Sequence, residues 1–266
     1  MSLGDRMKEY EQTTGSQTLE RTKPYIVRID GHSFSRFTSG FMKPFDELLS
    51  ESIVRTMTDT LNHFNAVTGY TQSDEITLIF TPTYNSKTEK FNELPFNGRV
   101  IKITSLIAAY ASVKFNFHLN DLFDQCVEKD KYSDNTVQKI KSFIAHFDAR
   151  AFSVPCKQEV FNNILWRSRY DCRRNSIHNL ARSKFSTKQL HKKHSGQMVQ
   201  MLQDVGVVYD DMSEAYRFGT FVKREKYTKQ VEGNDSVIRT RDRRFYLDMS
   251  SYDEKLADLF VDKYYS

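Results

Sequence analysis

The chain has 266 residues, of which 39% are hydrophobic and 27% are charged, and its net charge is only +5. This composition allows one or two compact domains with a hydrophobic core and excludes a histone-like basic tail. The three cysteines, Cys126, Cys156 and Cys172, are far apart and form no CxxC pair, so neither a zinc site nor a disulfide framework is predicted. They favour a reducing compartment, so the cytoplasm is the expected location, with the mitochondrion as the alternative.

The N-terminal region is polar and is predicted to form a short helix or a mobile arm over residues 1–23. Acidic residues within it, such as Asp5 and Glu9, argue against a secretory signal or an acid-poor transit peptide. No run of residues in the chain approaches the apolar length of a membrane span, so no membrane partner is expected.

The first strand is predicted over residues 25–29, which form a short run of mostly β-branched and aromatic side chains. Asp30 comes directly after this run, and Gly31 lets the backbone come close to a ligand. Phe34 and Phe37 are expected to pack beneath the turn that follows.

A helix and a hairpin are predicted next. Apolar residues at helical spacing over residues 45–64 predict a core-facing helix that begins after Pro44. Two β-rich runs follow, at residues 67–72 and 76–80, and Ser73-Asp74-Glu75 between them is predicted to be the tip of a hairpin.

This order of elements predicts that two acids meet. Two strands joined through a helix are expected to lie side by side and parallel, which brings Asp30 and Asp74 to one end of the sheet. Carboxylates that approach each other need a cation between them, and oxygen ligands suit Mg²⁺. Two such ions about 4 Å apart serve nucleotidyl transfer. The alternative is that Asp30 caps a loop and Asp74 is an ordinary turn residue. Lys43 either meets a phosphate at this end or is a solvated lysine.

The remaining elements of the first part complete the predicted fold class. Residues 81–98 are predicted to form a loop or extended hairpin, residues 99–119 a second helix, and residues 149–154 a fourth strand. The order strand–helix–strand–strand–helix–strand predicts an α+β protein with a split βαβ, or ferredoxin-like, sheet. We assign residues 1–155 to this catalytic domain.

The second part, residues 156–266, is basic. A third helix is predicted around residues 160–166, and it leads into a segment from Arg167 to Lys193 with nine Lys or Arg and one acid, a local charge of +8. Clustered basic residues are typical of a protein that binds the phosphate backbone of a nucleic acid, although a solvated helix face is the alternative. This part is therefore predicted to be a helical and hairpin RNA-binding region packed against the first.

Several motifs along the chain also occur together in a known family. They are Arg28-Ile29-Asp30-Gly31 with Phe34 and Phe37, Lys43-Pro44, Gln72-Ser73-Asp74-Glu75, Trp166-Arg167, Asp171-Cys172, Asn175, Asn179 and Phe218-Gly219-Thr220. In this order they resemble the tRNA-histidine guanylyltransferase superfamily from about residue 20 to residue 245. The resemblance implies a domain like the palm of polymerases, in an enzyme that adds nucleotides to the 5′ end of a tRNA in the 3′-to-5′ direction.

The resemblance also implies roles for individual residues. Asp30 and Asp74 would be catalytic and would hold two Mg²⁺ ions together with the Gly31 carbonyl, and Lys43 would stabilise phosphates. The nucleoside triphosphate, ATP, GTP or another NTP, would contact these acids and Gly31, His32, Ser33, Phe34, Ser35 and Ser73. RNA contacts are expected at Arg167, Arg173, Arg174, Asn175, Asn179 and Arg182. Members of the family are often homotetramers.

One departure from the family pattern bears on the substrate. Members that add G to tRNA-His carry a His-Ile-Asn-Asn-Leu-Tyr-Asn run after the Asp-Cys pair. Here the run begins with Arg173, while Asn175 and Asn179 match. This pattern resembles the Thg1-like protein branch, which repairs 5′-truncated tRNAs, and implies templated addition after ATP activates the 5′-phosphate. The alternatives are a tRNA-His guanylyltransferase, a nucleotidyl cyclase that uses no RNA, and a non-catalytic RNA-binding module.

Overall fold

The computed structural model describes residues 2–230 and 236–265, with the backbone alone for residues 11–14. Helices pack against an antiparallel sheet, which confirms the predicted α+β class. The strands are β1 (Tyr25–Gly31), β2 (Thr68–Gln72), β3 (Glu75–Phe80), β4 (Tyr84–Asn85), β5 (Lys90–Phe91), β6 (Phe147–Ser153), β7 (Thr220–Gln230) and β8 (Ser236–Phe245). The helices are α1 (Leu3–Gly15), α2 (Phe34–Phe37), α3 (Glu47–Phe64), α4 (Val100–Gln125), α5 (Asp134–Lys141), α6 (Lys157–Leu165), α7 (Arg173–Arg182), α8 (Thr187–Leu190), α9 (Ser195–Asp204), α10 (Glu214–Phe218) and α11 (Glu254–Val261).

The main sheet has six strands in the order β6-β1-β3-β2-β7-β8, and each of its pairings is antiparallel. The connection β1-α3-β2-β3-α4-β6 confirms the predicted split βαβ arrangement. β1 and β2 run parallel, as expected for strands joined by a helix, but they are not neighbours. The expectation that they lie side by side is wrong because β3 folds back between them and pairs with both.

The two faces of the sheet carry different cores because side chains alternate along a strand. Val27 and Ile29 pack in one cluster with residues of α3 and α4. Ile26 and Ile79 belong to a second cluster with residues of α6 and α11. By the same alternation, Asp30 at the end of β1 lies on the Ile26 face, under the C-terminal helices.

The start of the first long helix differs from the prediction. α3 begins at Glu47 because the Asp46 side chain accepts a hydrogen bond from the Leu49 amide, 3.0 Å away, and caps the helix. Phe45, expected within the helix, therefore precedes it, and its ring packs against Tyr216 with 5.5 Å between centroids.

Helix α4 has an unexpected property. It is long and apolar enough to cross a membrane by length and composition, so the expectation that no segment approaches that length is wrong. One such helix is weak evidence for a membrane span because core helices pass the same test. Ile103, Ile107 and Phe115 of α4 lie in the cluster beneath the sheet. The expected lack of a membrane partner stays a prediction.

The C-terminal part extends the sheet of the first part. β7 pairs with β2, with Phe221 opposite Tyr70, and β8 pairs with β7. The Thr68 hydroxyl on β2 donates to the carbonyl oxygen of Phe260 in α11, 2.9 Å away. The division between residues 1–155 and 156–266 stays a prediction, and the sheet is continuous across it.

The turn from α10 into β7 depends on Gly219. Its φ of +80° lies in the left-handed region that favours glycine. A Cβ atom there would lie 2.6 Å from the Tyr70 hydroxyl oxygen and 2.7 Å from the Thr71 carbonyl oxygen. The absence of a side chain therefore lets β7 approach β2 at this point.

Replacing Gly219 with Ala should lower the free energy of unfolding through both the backbone conformation and the clash. Gly206→Ala is a matched control, since Gly206 has a φ of +76° and, apart from Gly206 and its two chain neighbours, no described residue has an atom within 4 Å of the position that a Cβ would take there. We expect Gly219→Ala to cost about 1–3 kcal/mol more than the control, the usual penalty of overpacking, in urea denaturation. Equal losses in the two variants would contradict the close approach.

Candidate active site

The two acidic motifs meet at one end of the sheet. The Gly31 amide at the end of β1 donates to the carbonyl oxygen of Asp74 at the hairpin tip, 3.2 Å away. Asp30 is in register with Glu75, the first residue of β3. The turn between β2 and β3 thus places Asp74 at the end of β1, although β3 lies between β1 and β2.

Burial and like charge shape the electrostatics of this end. Burial raises the pKa of the Asp74 carboxyl, and the nearby charge of Asp30 raises it further. Burial also raises the pKa of Glu75, and the guanidinium groups of Arg167 and Arg28 oppose that increase. This end of the sheet therefore concentrates negative charge that favours a cation.

Both acidic turns contain a serine in a left-handed conformation. The φ of Ser33, after β1, is +54°, and that of Ser73, at the hairpin tip, is +51°. Non-glycine residues rarely adopt this conformation, and such residues cluster at ligand sites, where the surrounding structure compensates their cost. Gly31 is required for a different reason, since a Cβ there would overlap the ring of Phe34. The chain after β1 therefore follows a tight, defined path.

A cavity of about 730 Å³ lies between this end of the sheet, the segment before α3, and helix α7. Many of the residues that the sequence nominated line it together. They are Asp30, Gly31, Ser33, Phe34, Ser35, Lys43, Ser73, Asp74, Asn175, Asn179 and Arg182. The last three, expected to contact RNA, thus share one cavity with the acids and Lys43.

A second, smaller cavity of about 230 Å³ adjoins the first. Its lining includes Arg174 and His178 of α7, and it shares Ser73, Asn179 and Arg182 with the larger cavity. Burial lowers the pKa of His178, and the charges of Arg182 and Arg174 lower it further. Helix α7 therefore forms a wall common to both cavities.

The structure places three nominated residues elsewhere. The His32 side chain is exposed and its ring stacks on that of His146, with 4.9 Å between centroids. The Arg173 guanidinium lies 5.2 Å from the centre of the Tyr209 ring. Arg167 is only 12% exposed, and its guanidinium binds carboxylates inside the protein. Its nomination as an RNA contact is therefore corrected to an internal role.

A buried network of charges surrounds Arg167, and the sequence analysis missed it. Arg167 donates from Nε to Glu75 Oε1, 2.6 Å away, from Nη2 to the other Glu75 oxygen, and from Nη1 to Asp171. Asp171 also pairs with Arg174 at 2.8 Å. The spacing of four residues between Arg167 and Asp171 was a usable signal. Glu75 was not recognisable as the third member, because 92 residues separate it from Arg167.

The network is carried by an unusual helical turn. Residues Trp166–Cys172 form a π-helical segment between α6 and α7, a feature often found at functional sites. The Ser168 hydroxyl donates to the Phe218 carbonyl oxygen at 2.9 Å, and Cys172 is buried, which raises the pKa of its thiol to about 12. The segment is thus anchored on two sides and sets the direction of α7.

Comparisons with known proteins cover nearly the whole chain. A family model described as "Thg1: tRNAHis guanylyltransferase" matches residues 4–155. An uncharacterised protein of Acanthamoeba polyphaga mimivirus is 36% identical over 269 residues, which covers 99% of this chain and 90% of that relative. A bacterial tRNA(His) guanylyltransferase (Thg1)-like protein in complex with ATP is 30% identical, with a TM-score of 0.74 over 92% of this chain and 91% of the other. The corresponding complex with GTP is 28% identical, with a TM-score of 0.68 over the same shares of both chains.

Arg167→Ala should destabilise the protein strongly because it leaves the Glu75 carboxylate buried without its main partner. Breaking a buried ion pair by removing one member typically costs about 3–5 kcal/mol. Arg169→Ala is the control from the same segment, since its contact with Asp248 is 3.4 Å long and partly exposed and should contribute at most about 1 kcal/mol. Urea denaturation measures both variants, and similar losses would contradict the internal role of Arg167.

Proposed function

We propose that this chain, which belongs to the Thg1 tRNAHis guanylyltransferase family, rebuilds the 5′ end of truncated tRNAs by 3′-to-5′ nucleotidyl transfer. The observation that carries the proposal is the single cavity lined by Asp30 and Asp74 together with Lys43 and Arg182. Acids that suit a metal ion and cations that suit phosphates are the combination that nucleotidyl transfer requires. The ATP and GTP complexes of the similar bacterial proteins support nucleoside triphosphates as substrates.

The donor set of this site fits Mg²⁺. Asp30, Asp74 and the Gly31 carbonyl are oxygen donors at one end of the sheet, and Mg²⁺ is usually bound by one or two carboxylates plus substrate phosphates. Burial raises the pKa of Asp74, the nearby charge of Asp30 raises it further, and a divalent cation would offset both effects there. Two such ions, when bound, would lower the pKa of the attacking hydroxyl and neutralise charge on the leaving group.

The cations of the cavity come from different parts of the chain. Lys43 precedes α3 and Arg182 ends α7, and both line the larger cavity. We assign them to the phosphates of the nucleotide and of the RNA end, where fixed positive charges stabilise negative charge as it develops. Asn175, Asn179 and Ser73 supply neutral hydrogen-bond donors to the same phosphates. The turn from Gly31 to Ser35 would hold the nucleotide.

The proposed reaction has two steps. In the first, an oxygen of the RNA 5′-monophosphate attacks the α-phosphorus of ATP, which joins AMP to the 5′ end and releases pyrophosphate. In the second, the 3′-hydroxyl of an incoming NTP attacks the activated 5′ phosphorus, which forms the new phosphodiester and releases AMP. The protein binds and aligns the reactants in both steps, and the proposal assigns no side chain as general base.

Base pairing supplies the choice of nucleotide in this proposal. An incoming NTP that pairs with the opposite strand of the acceptor stem is already oriented. Pairing therefore covers part of the entropy cost of bringing the two reactants together. The position where the family's tRNA-His-specific members have the leading His is Arg173, whose guanidinium packs over Tyr209. This departure supports templated repair over addition of one G to tRNA-His.

The proposal includes a homotetramer in the cytoplasm. Val113 and Phe117, four residues apart on α4, are both exposed, and neighbouring exposed apolar side chains support an association surface there. All three cysteines are free, which suits a reducing compartment. Native mass spectrometry measures the assembly, and a monomer at micromolar concentration would contradict this part of the proposal.

Asp30→Ala and Asp74→Ala should each abolish nucleotide addition while the fold and RNA binding stay nearly intact. The loss should exceed the factor of about 10²–10⁴ that is typical for a general base, because a metal ligand is removed. Asp211→Ala is the control, since Asp211 is exposed and does not line either cavity. Incorporation of labelled NTP measures activity. Retention of more than about a tenth of the activity in either test variant would contradict the metal site.

Incubation with a 5′-truncated tRNA, ATP, all four NTPs and Mg²⁺, followed by mapping of the new 5′ end, tests the proposed function. We expect Watson–Crick-matched addition that stops once the stem is complete, because pairing with the opposite strand orients the NTP. Changing the opposite base should change the nucleotide added. Addition of G alone, and only to full-length tRNA-His, would contradict repair and support the guanylyltransferase alternative. NTP turnover without RNA would support a cyclase.

A further inference from the structure

A row of four side chains runs along the outside of the π-helical segment and α7. It consists of Trp166, Tyr170, Arg174 and His178, which we call the 166–178 row. Trp166 is 49% exposed, Tyr170 is 62% exposed and the Arg174 side chain is 59% exposed, while His178 is half-buried. A spacing of four residues keeps successive side chains on one side of a helix.

The outward position of this row follows from the inward contacts of its neighbours. Arg167 and Asp171 point into the buried charge network, and Ser168 and Cys172 contact carbonyl oxygens at the end of α10. Because these contacts fix the rotation of the segment, Trp166 and Tyr170 remain outside. Their exposure is therefore a property of an anchored segment.

Trp166 also has a fixed neighbour. The Arg167 guanidinium carbon lies 5.0 Å from the centre of its ring, a favourable arrangement of a cation and an aromatic face. Because Glu75 and Asp171 hold Arg167, the indole rests against a group that does not move freely. A large, restrained and half-exposed ring is suited to stacking with another flat group.

The row leads to the catalytic cavity. Arg174 and His178 line the smaller cavity, which shares Ser73, Asn179 and Arg182 with the cavity of the two acids. A ligand that lies along the row would thus be continuous with a nucleotide or RNA end held in the active site.

The charge along the row is positive. The one acid between Arg167 and Lys193 is Asp171, and it is buried and paired with both Arg167 and Arg174. Exposed aromatic rings beside exposed cations are typical of proteins that bind single-stranded nucleic acid, in which bases stack on the rings and the backbone contacts the cations.

We propose that the 166–178 row binds a single-stranded stretch of the substrate RNA beside the 5′ end that is extended. Its bases stack on Trp166 and Tyr170, and its backbone passes Arg174. This inference rests on the proposed function and adds a surface for unpaired nucleotides. The unpaired strand is the 3′ extension that lies opposite the growing end.

The test compares two RNAs that share one 5′-truncated stem, one with a short unpaired 3′ extension and one blunt. Trp166→Ala and Tyr170→Ala should each weaken binding of the extended RNA about tenfold, the usual effect of losing one stacked base, and leave binding of the blunt RNA unchanged. Trp166→Phe should retain most of the affinity. Tyr84→Ala is the control, since Tyr84 is 55% exposed on β4 and lies outside both cavities. Anisotropy of labelled RNA measures each affinity.

A second measurement needs no variant. Trp166 is the only tryptophan of the chain, so intrinsic fluorescence reports directly on its ring. Titration with the extended RNA should quench this fluorescence with the same midpoint as the anisotropy, because a stacked base contacts the indole. Titration with blunt RNA, or with ATP in the absence of RNA, should leave the Trp166 fluorescence unchanged.

The outcomes separate this inference from the proposed function. If the unmodified chain binds extended RNA without quenching of the Trp166 fluorescence, and Trp166→Ala binds this RNA equally well, the proposed role of the 166–178 row is overturned and the repair proposal stands. If the unmodified chain binds neither RNA, both are overturned. If Trp166→Ala keeps RNA affinity but reduces the mass of the assembly, the ring belongs to a protein interface and the inference is also overturned.

Discussion

The contact between Arg167 and Glu75 is the interaction on which the site depends. It joins the first residue of β3 to the π-helical segment, which lies 92 residues later in the chain. Both side chains are buried, so each charge needs the other to offset the cost of leaving water. Because the guanidinium also binds Asp171, the turn that precedes α7 is fixed to the end of the sheet. The position of α7, and hence of the cavity wall, follows from this pairing.

The hairpin tip separates two acids that are adjacent in sequence. Asp74 lies at the tip and lines the cavity, while Glu75 begins β3 and faces Arg167. The same register sets Glu75 opposite Asp30, so one acid supports the structure while its neighbours remain available to a ligand. Burial raises the pKa of both hairpin acids, and Glu75 has Arg167 as a direct partner. A shift of the β3 pairing register by one residue would turn the Glu75 side chain to the other face of the sheet and leave Arg167 without its acceptor.

Local patterns were sufficient to predict the elements of the first part but not how they pair. Alternation and helical spacing identified β1, α3, β2, β3, α4 and β6, and turn chemistry identified the hairpin tip, because these signals arise within a few residues. The insertion of β3 between β1 and β2, and the pairing of β7 with β2, depend on contacts between distant segments. Arg167 was predicted to contact RNA as part of a basic segment. A sum of charges contains no information on burial, so the internal role of Arg167 could not be recognised. The π turn carries no simple periodic signal, so the direction of α7 could not be predicted.

The cavity that contains the two acids is shared between the two parts of the chain. The acids and Lys43 come from residues 30–74, within the region 4–155 that matches the family model, whereas Asn175, Asn179 and Arg182 come from α7, outside it. An independent RNA-binding module attached to a palm would leave the active site complete in the first part. Here α7, which lines the same cavity as the acids, also carries Arg173 and Arg174, the residues that begin the divergent motif. The divergent motif therefore lies on the helix that also supplies Asn175, Asn179 and Arg182 to the cavity lining.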